Sequence, residues 1–298
     1  MQHPILFFGT SPFAVPILER LAKDPRFEIK AVVTQPDRPV GRHALLKAPP
    51  VKEAAERLSI PVLQFESVKS PAAFSSLTTL GATACVVASF GQIISTRLLD
   101  AFPHGMVNVH ASLLPKYRGA SPIAASIAAG DAETGITIMK MDAQMDHGPT
   151  LAYAHEQIRS DDTTPMLEDR LAALGAETLP DVLIKYLDGQ LAPTEQDHAH
   201  ATGVQLLSRD DGRLDPTTQS AETMERLVRA YTPWPGTYIE KNGKRLKVLE
   251  ARLANEPGYP TVNGVDGQTL CLMNVQPEGK PPMDGAAFLR GNKDWFNA

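Results

Sequence analysis

The sequence predicts an α/β fold: a mostly parallel, Rossmann-like sheet in the first part of the chain, then a small OB-like β-barrel. Two observations carry this. Through residue 187, short apolar runs alternate with segments of helical periodicity, the βαβ pattern of a parallel sheet. Beyond residue 202 an amphipathic helix is followed by short strands separated by Gly, Pro and Asn turns, the pattern of a small barrel.

The elements follow in order. Ile5–Phe8 is a buried strand and Gly9-Thr10 its turn. Ser11 and Pro12 read as the N-cap and first-turn proline of a helix through Lys23. Ile29–Thr34 is a strand, 50–58 a helix, Val62–Gln64 a short strand and 71–79 a helix. Ala84–Ala88 is a strand, 95–100 a helical turn, and Met106–Val109 a central strand. Residues 121–129 form a helix; Ile136–Met141 and Leu151–Ile158 are strands. Leu and Ala at helical spacing predict a long helix from Pro165 to Leu187. No Gly-x-Gly-x-x-Gly follows the first strand, so this shape does not imply a dinucleotide. Gly189–Thr202, rich in Pro, His, Ala and Gln, reads as a linker. A helix over Ser220–Tyr231 precedes the turn Thr232–Gly236, where Trp234 between two prolines reads as a buried packing anchor. The strands Thr237–Glu240, Lys244–Arg252, Thr261–Asn263 and Thr269–Val275 complete the chain. The expected division is a catalytic domain at 1–188, a linker at 189–207 and a C-terminal domain at 208–298.

At 298 residues, 43% hydrophobic and 21% charged, the chain can bury a large core. No apolar run approaches the ~20 residues that span a bilayer, and Met1–Pro4 leads into a core-like strand without a signal pattern. The expected location is the cytoplasm and the expected state a monomer. Cys85 and Cys271 lie in apolar strands far apart and read as buried free thiols, not as a disulfide or metal pair. The net charge of −5 does not announce nucleic-acid binding. Residues 206–298 hold 12 Lys+Arg against 12 Asp+Glu, so a nucleic-acid partner would have to use local patches.

The chemistry concentrates where Met106–Val109 ends. Side chains alternate along a strand, so Asn108 and His110 emerge on one face. In an open parallel sheet, ligands bind outside the carboxyl ends of strands. An amide donates to a developing oxyanion, and an imidazole exchanges a proton near neutral pH. The pair suits chemistry on a carbonyl. A third group comes from Gly135–Gly148, a strand, a polar loop and a glycine turn, in which Asp146 is placed to hold the tautomer and charge of His110. Ser112 lacks a nearby base and reads as structural.

Asn108-x-His110, the context Ser112-Leu113-Leu114-Pro115-Lys116-Tyr117-Arg118-Gly119 and the distant Asp146 resemble the folate-dependent formyltransferase family, and the likeness covers nearly the whole chain. The resemblance implies transfer of a formyl group from 10-formyltetrahydrofolate to an amine, with Asn108, His110 and Asp146 catalytic and no metal. It implies a pterin site formed by Ser89, Phe90, Gly91, Gln92 and Ile93, faced by residues 140–146 with Met141 and Asp142. Phe90 and Ile93 serve equally well as ordinary core.

The acceptor implied is methionine esterified to initiator tRNA. Gln35–Lys47 resembles the loop that engages the acceptor stem, with Arg38, Arg42 and Lys47 as contacts. Lys244, Arg245 and Lys247 form a second basic patch, equally readable as a solvated hairpin. The alternative acceptor is an amino-sugar nucleotide. A formyl-folate hydrolase and a non-catalytic RNA- or folate-binding relative are further alternatives, against which the second domain and the complete triad argue. The chain departs from the family pattern in several places. His43–Leu46 stands where lysines are usual, His147 where a small polar residue is usual, and Pro149 where an acidic one is common. Leu206 and Pro216 replace a Lys and a Trp.

Overall fold

The computed structural model describes residues 2–40, 45–241, 243–292 and 295. The elements in chain order are β1 (His3–Gly9), α1 (Ala14–Ala22), β2 (Phe27–Thr34), β3 (Arg38–Val40), β4 (Leu45–Lys47), α2 (Pro50–Arg57), β5 (Val62–Gln64), α3 (Pro71–Thr78) and β6 (Ala84–Ala88). There follow α4 (Thr96–Leu99), β7 (Met106–His110), β8 (Arg118–Gly119), α5 (Pro122–Ala129), β9 (Glu133–Lys140), β10 (Thr150–Gln157), α6 (Thr164–Leu187) and β11 (Gly203–Val204). The last are α7 (Ala221–Ala230), β12 (Thr237–Lys241), β13 (Lys244–Leu253), β14 (Thr261–Asn263), β15 (Thr269–Pro277), β16 (Met283–Asp284) and α8 (Gly285–Gly291). The chain divides into two compact units, one of Met1–Gly119, Thr134–Glu156 and Glu168–Gly203, the other of Ala120–Glu133, Gln157–Leu167 and Val204–Ala298.

The first unit is built on a sheet ordered β10-β9-β7-β6-β1-β2-β5. Its five strands from β7 to β5 run parallel, and β9 is antiparallel to β7. Alternate residues of these strands, Leu6 and Phe8, Ala31 and Val33, Cys85 and Val87, enter one core with Leu98, Leu99 and Phe102. That is the period of two expected of a strand covered on this face. Cys85 and Cys271 are buried free thiols, and burial pushes the Cys85 thiol up. Helix α1 buries Ala14, Ile17, Leu18 and Leu21, the apolar stripe of an amphipathic helix. It begins later than expected: Phe13 holds the cap position, not Ser11. Ser11 and Pro12 instead form a preceding turn, whose carbonyls accept from Ala14 and Val15 N–H, both at 3.1 Å. Ser70 is a true cap of α3, its hydroxyl accepting from Ala73 N–H at 3.1 Å.

A short hairpin lies within the segment expected to be a loop: β3 and β4 pair antiparallel, Arg38 opposite Lys47. Every side chain of β4 is exposed, so no apolar alternation marks it in the sequence. Arg42 lies outside the described residues.

The second unit is an antiparallel sheet ordered β12-β13-β15-β14, with β16 added against β15. Helix α7 covers it, capped by Ser220 accepting from Thr223 N–H at 3.0 Å. Met224, Leu227 and Val228 of α7 join Ile239, Leu246, Val248, Leu270, Leu272 and Phe288 in one core. Helix α5 packs on α7, where Arg226 Nε donates to Ala128 O at 3.2 Å. Trp234 corrects the sequence expectation: it is 54% exposed rather than buried. Its ring lies 5.9 Å from the Arg209 guanidinium. Flanking prolines keep the turn out of regular structure, so the indole has no sheet or helix to pack under.

Candidate active site

Strand β7 sits between β6, its parallel neighbour, and β9, its antiparallel one, so its carboxyl end lies where the parallel part of the sheet gives way to the antiparallel part. Asn108 lies opposite Met139 and His110 opposite Thr137. The two residues are 8% and 6% exposed, as expected for polar groups at a buried strand's end that must find partners. His110 Nε2 lies 2.9 Å from Tyr117 O. A carbonyl only accepts, so Nε2 carries the proton and Nδ1 is the nitrogen left to gain one. Nδ1 faces Asp146 Oδ1 at 3.7 Å. The same carboxylate oxygen accepts from Asn108 Nδ2 at 3.4 Å, and Oδ2 accepts from Gly119 N–H at 2.8 Å. The structure thus brings Asn108, His110 and Asp146 together.

The Asp146 backbone is left-handed, with φ of +48°, a conformation Asp tolerates better than most residues. Close packing holds its loop: a Cβ on Gly148 would collide with the Lys140 carbonyl. Gln196 Nε2 donates to Asp146 O at 2.9 Å and to Gly148 O at 2.7 Å. His147 is turned away from Asp146. Its Nδ1 bonds Asp142 Oδ2 at 2.6 Å, and its ring stacks on His198 at 4.1 Å, 4° from parallel. Ser112 spends its hydroxyl on Lys116 O at 2.6 Å.

The Ser89–Ile93 loop leaves the end of β6 through two positive-φ residues, Ser89 at +44° and Gly91 at +82°. Thr10 Oγ1 donates to Phe90 O at 2.7 Å, and Gln35 Nε2 to Gly91 O at 3.0 Å. Gln92 is consumed internally. It accepts from Val68 N–H at 2.8 Å and donates to Phe65 O and Gln35 Oε1. Phe90 is buried in the sheet core, edge-on to Phe8 at 5.3 Å. Ile93, by contrast, is 67% exposed. Met141 packs on the same core and donates its N–H to Met106 O at 2.8 Å. Asp142, engaged by His147, also accepts from Gln144 N–H at 2.9 Å.

Arg38 pairs with Glu66 at 2.7 Å, and Lys47 is exposed on β4. Lys244, Arg245 and Lys247 are exposed on β13, with the Arg245 guanidinium 4.5 Å from the Tyr238 ring centroid. Sequence reasoning missed Gln196 and Gly119, which bond Asp146, and Tyr117, whose carbonyl bonds His110. Two of these act through backbone atoms, and Gln196 sits in a stretch with no periodicity.

Residues 2–183 match the formyl transferase family, and residues 206–293 match the formyl transferase C-terminal domain. A methionyl-tRNA formyltransferase of Roseiflexus sp. (strain RS-1) is 45% identical over 98% of this chain and 93% of its own length. One from Myxococcus xanthus (strain DK1622) is 42% identical over 98% of this chain and 96% of its own. Among solved structures, a sugar 3N-formyl transferase, WlaRD, superimposes with a TM-score of 0.68 at 17% identity, covering 94% of this chain and 100% of its own. At that identity the likeness speaks for the fold alone. The two domain matches and the relatives sharing over two-fifths of their residues with nearly the full chain show that it belongs to the formyl transferase family, among the methionyl-tRNA formyltransferases.

Proposed function

We propose that this enzyme moves the formyl group of 10-formyltetrahydrofolate to the α-amine of methionyl initiator tRNA, with Asn108, His110 and Asp146 as its catalytic residues. The observation that carries the reading is the convergence of an amide, an imidazole and a carboxylate at the end of β7. The amine nitrogen bonds to the formyl carbon while the bond from that carbon to the folate nitrogen breaks. Asn108 Nδ2, and His110 Nδ1 once it gains its proton, donate to the charge gathering on the formyl oxygen. Asp146 balances the charged imidazole, accepts the proton shed by the amine, and passes it to the departing folate nitrogen. The amine is itself the nucleophile, so no covalent enzyme intermediate is needed.

The Ser89–Ile93 loop holds the pterin through its backbone groups and the exposed Ile93, with Met141 and Asp142 opposite. Phe90 acts from beneath as core. Arg38, Arg42 and Lys47 meet the acceptor stem, and Lys244, Arg245 and Lys247 meet the tRNA backbone. The enzyme works as a monomer in the cytoplasm, where its acceptor serves translation. The test is incubation with 10-formyltetrahydrofolate and either Met-tRNA or amino-sugar nucleotides, following formyl transfer. Formyl-methionine on the tRNA is the expected product. Transfer to the amino sugar alone would overturn the acceptor assignment.

A further inference from the structure

We infer that Gln196 is a positioning residue for the Asp146 carboxylate, acting through the backbone of the loop that carries it. The inference rests on the role proposed above for Asp146. Gln196 comes from a Pro- and His-rich stretch, yet its residue is 5% exposed and its amide has four close partners. Both Nε2 hydrogens are spent, on Asp146 O at 2.9 Å and Gly148 O at 2.7 Å. Its Oε1 accepts from Arg118 Nη2 at 2.7 Å and Nε at 3.2 Å. A buried amide so satisfied defines one geometry and penalises others, because any shift leaves polar atoms unpaired.

These bonds close a ring around the carboxylate. Arg118 reaches the Asp146 carbonyl through Gln196, while the next residue, Gly119, donates its N–H to Asp146 Oδ2 at 2.8 Å. The segment carrying Gln196 is itself pinned. Thr150 and Thr194 exchange backbone bonds at 2.7 and 2.8 Å, and Arg118 N–H donates to Thr202 O at 2.8 Å. Arg118 also donates to His198 Nδ1 at 2.8 Å. Asp146 holds a left-handed φ of +48°, which its neighbours must impose. Gln196 grips the two carbonyls that bracket His147, and so sets where the carboxylate stands relative to His110 and Asn108. Misplacing a reacting group by about 1 Å costs up to about 100-fold in rate.

The test is a double-mutant cycle on the full-length enzyme. Gln196→Met keeps the side chain's length and removes its hydrogen bonds. It should lower kcat about 10- to 100-fold, with KM for formyl-folate and for Met-tRNA within about twofold of the parent. In an Asp146→Asn background, already impaired, the same substitution should lower kcat less than about twofold, because its target is gone. Equal losses in both backgrounds would mean a general structural role and overturn the inference. So would an unchanged kcat in Gln196→Met while Asp146→Asn is impaired, and the proposed catalytic role would then stand. Full activity of Asp146→Asn would overturn both. Should Gln196→Met fail to fold, Arg118→Lys provides the same cycle. A lysine cannot hold Gln196 and His198 at once, and the same pattern of coupling to Asp146 is expected.

Discussion

At the residue scale, the site turns on which atoms each side chain has left to offer. His110 has given Nε2 to Tyr117, so its chemistry must run through Nδ1, the nitrogen facing Asp146. Asp146 divides its oxygens, Oδ2 to Gly119 and Oδ1 to the shared space with Asn108 and His110. Replacing His110 or Asp146 by Ala should each lower kcat roughly 100-fold or more, with Met-tRNA binding little changed. Single-turnover transfer by the folded variants checks this, and near-normal rates would reject the assignment. His147 gives a contrasting case. Although next to Asp146, it spends its bond on Asp142. His147→Ala should therefore leave kcat close to the parent value while raising the KM for formyl-folate, because it frees Asp142 in the expected pterin wall. A large drop in kcat with an unmoved KM would show instead that the imidazole reports to Asp146.

At the element scale, β1, β6 and β7 were legible because each carries a run of buried residues, and Asn108 and His110 fall on one face by the strand period alone. What escaped the sequence was carried by exposed or backbone-mediated structure. Strand β4 has only exposed side chains, the start of α1 is set by a turn rather than a side-chain cap, and Gln196 lies where no periodicity guides a reading. The same scale decides acid stability at the turn from α1 to β2. Asp24 accepts from Arg26 Nη2 at 2.7 Å, Nε at 2.8 Å and N–H at 3.1 Å, and from Arg20 Nη1 at 3.2 Å. The Arg26 guanidinium, bonded to this carboxyl, holds it down at about 2. A group depressed in the folded state stabilises it above the unfolded value, near 3.8, and loses that contribution as pH falls toward 2. Asp24→Asn should cost about 1–2 kcal/mol at neutral pH and little near pH 2, about the folded value. Denaturant unfolding of both proteins across this range checks it. A difference that does not narrow with acid would place the stabilisation elsewhere.

At the scale of the whole molecule, charge separates catalysis from tRNA capture. A protein of net charge −5 repels a polyanion on average, so binding must come from patches. The proposed patches are the exposed lysines and arginine of β13 and the β3–β4 pair, where Arg38 lies opposite Lys47. Leu45 and Leu46, where the family usually has lysines, are exposed on that hairpin. Apolar side chains there bring no charge to pair with phosphate. Arg42 stands in the same segment. Arg42→Ala should raise the KM for Met-tRNA and lower kcat/KM while sparing formyl-folate binding, since the loop proposed to hold the pterin, 89–93, is a separate segment. If Arg42 meets phosphate, its loss should also flatten the salt dependence of tRNA binding by roughly one counterion. If it meets a base, the slope should hold and discrimination between initiator and elongator Met-tRNA should fall. Kinetics with both tRNAs at two salt concentrations distinguish these. Unchanged kinetics with both would remove the hairpin segment from recognition and return the amino-sugar nucleotide as the acceptor to test.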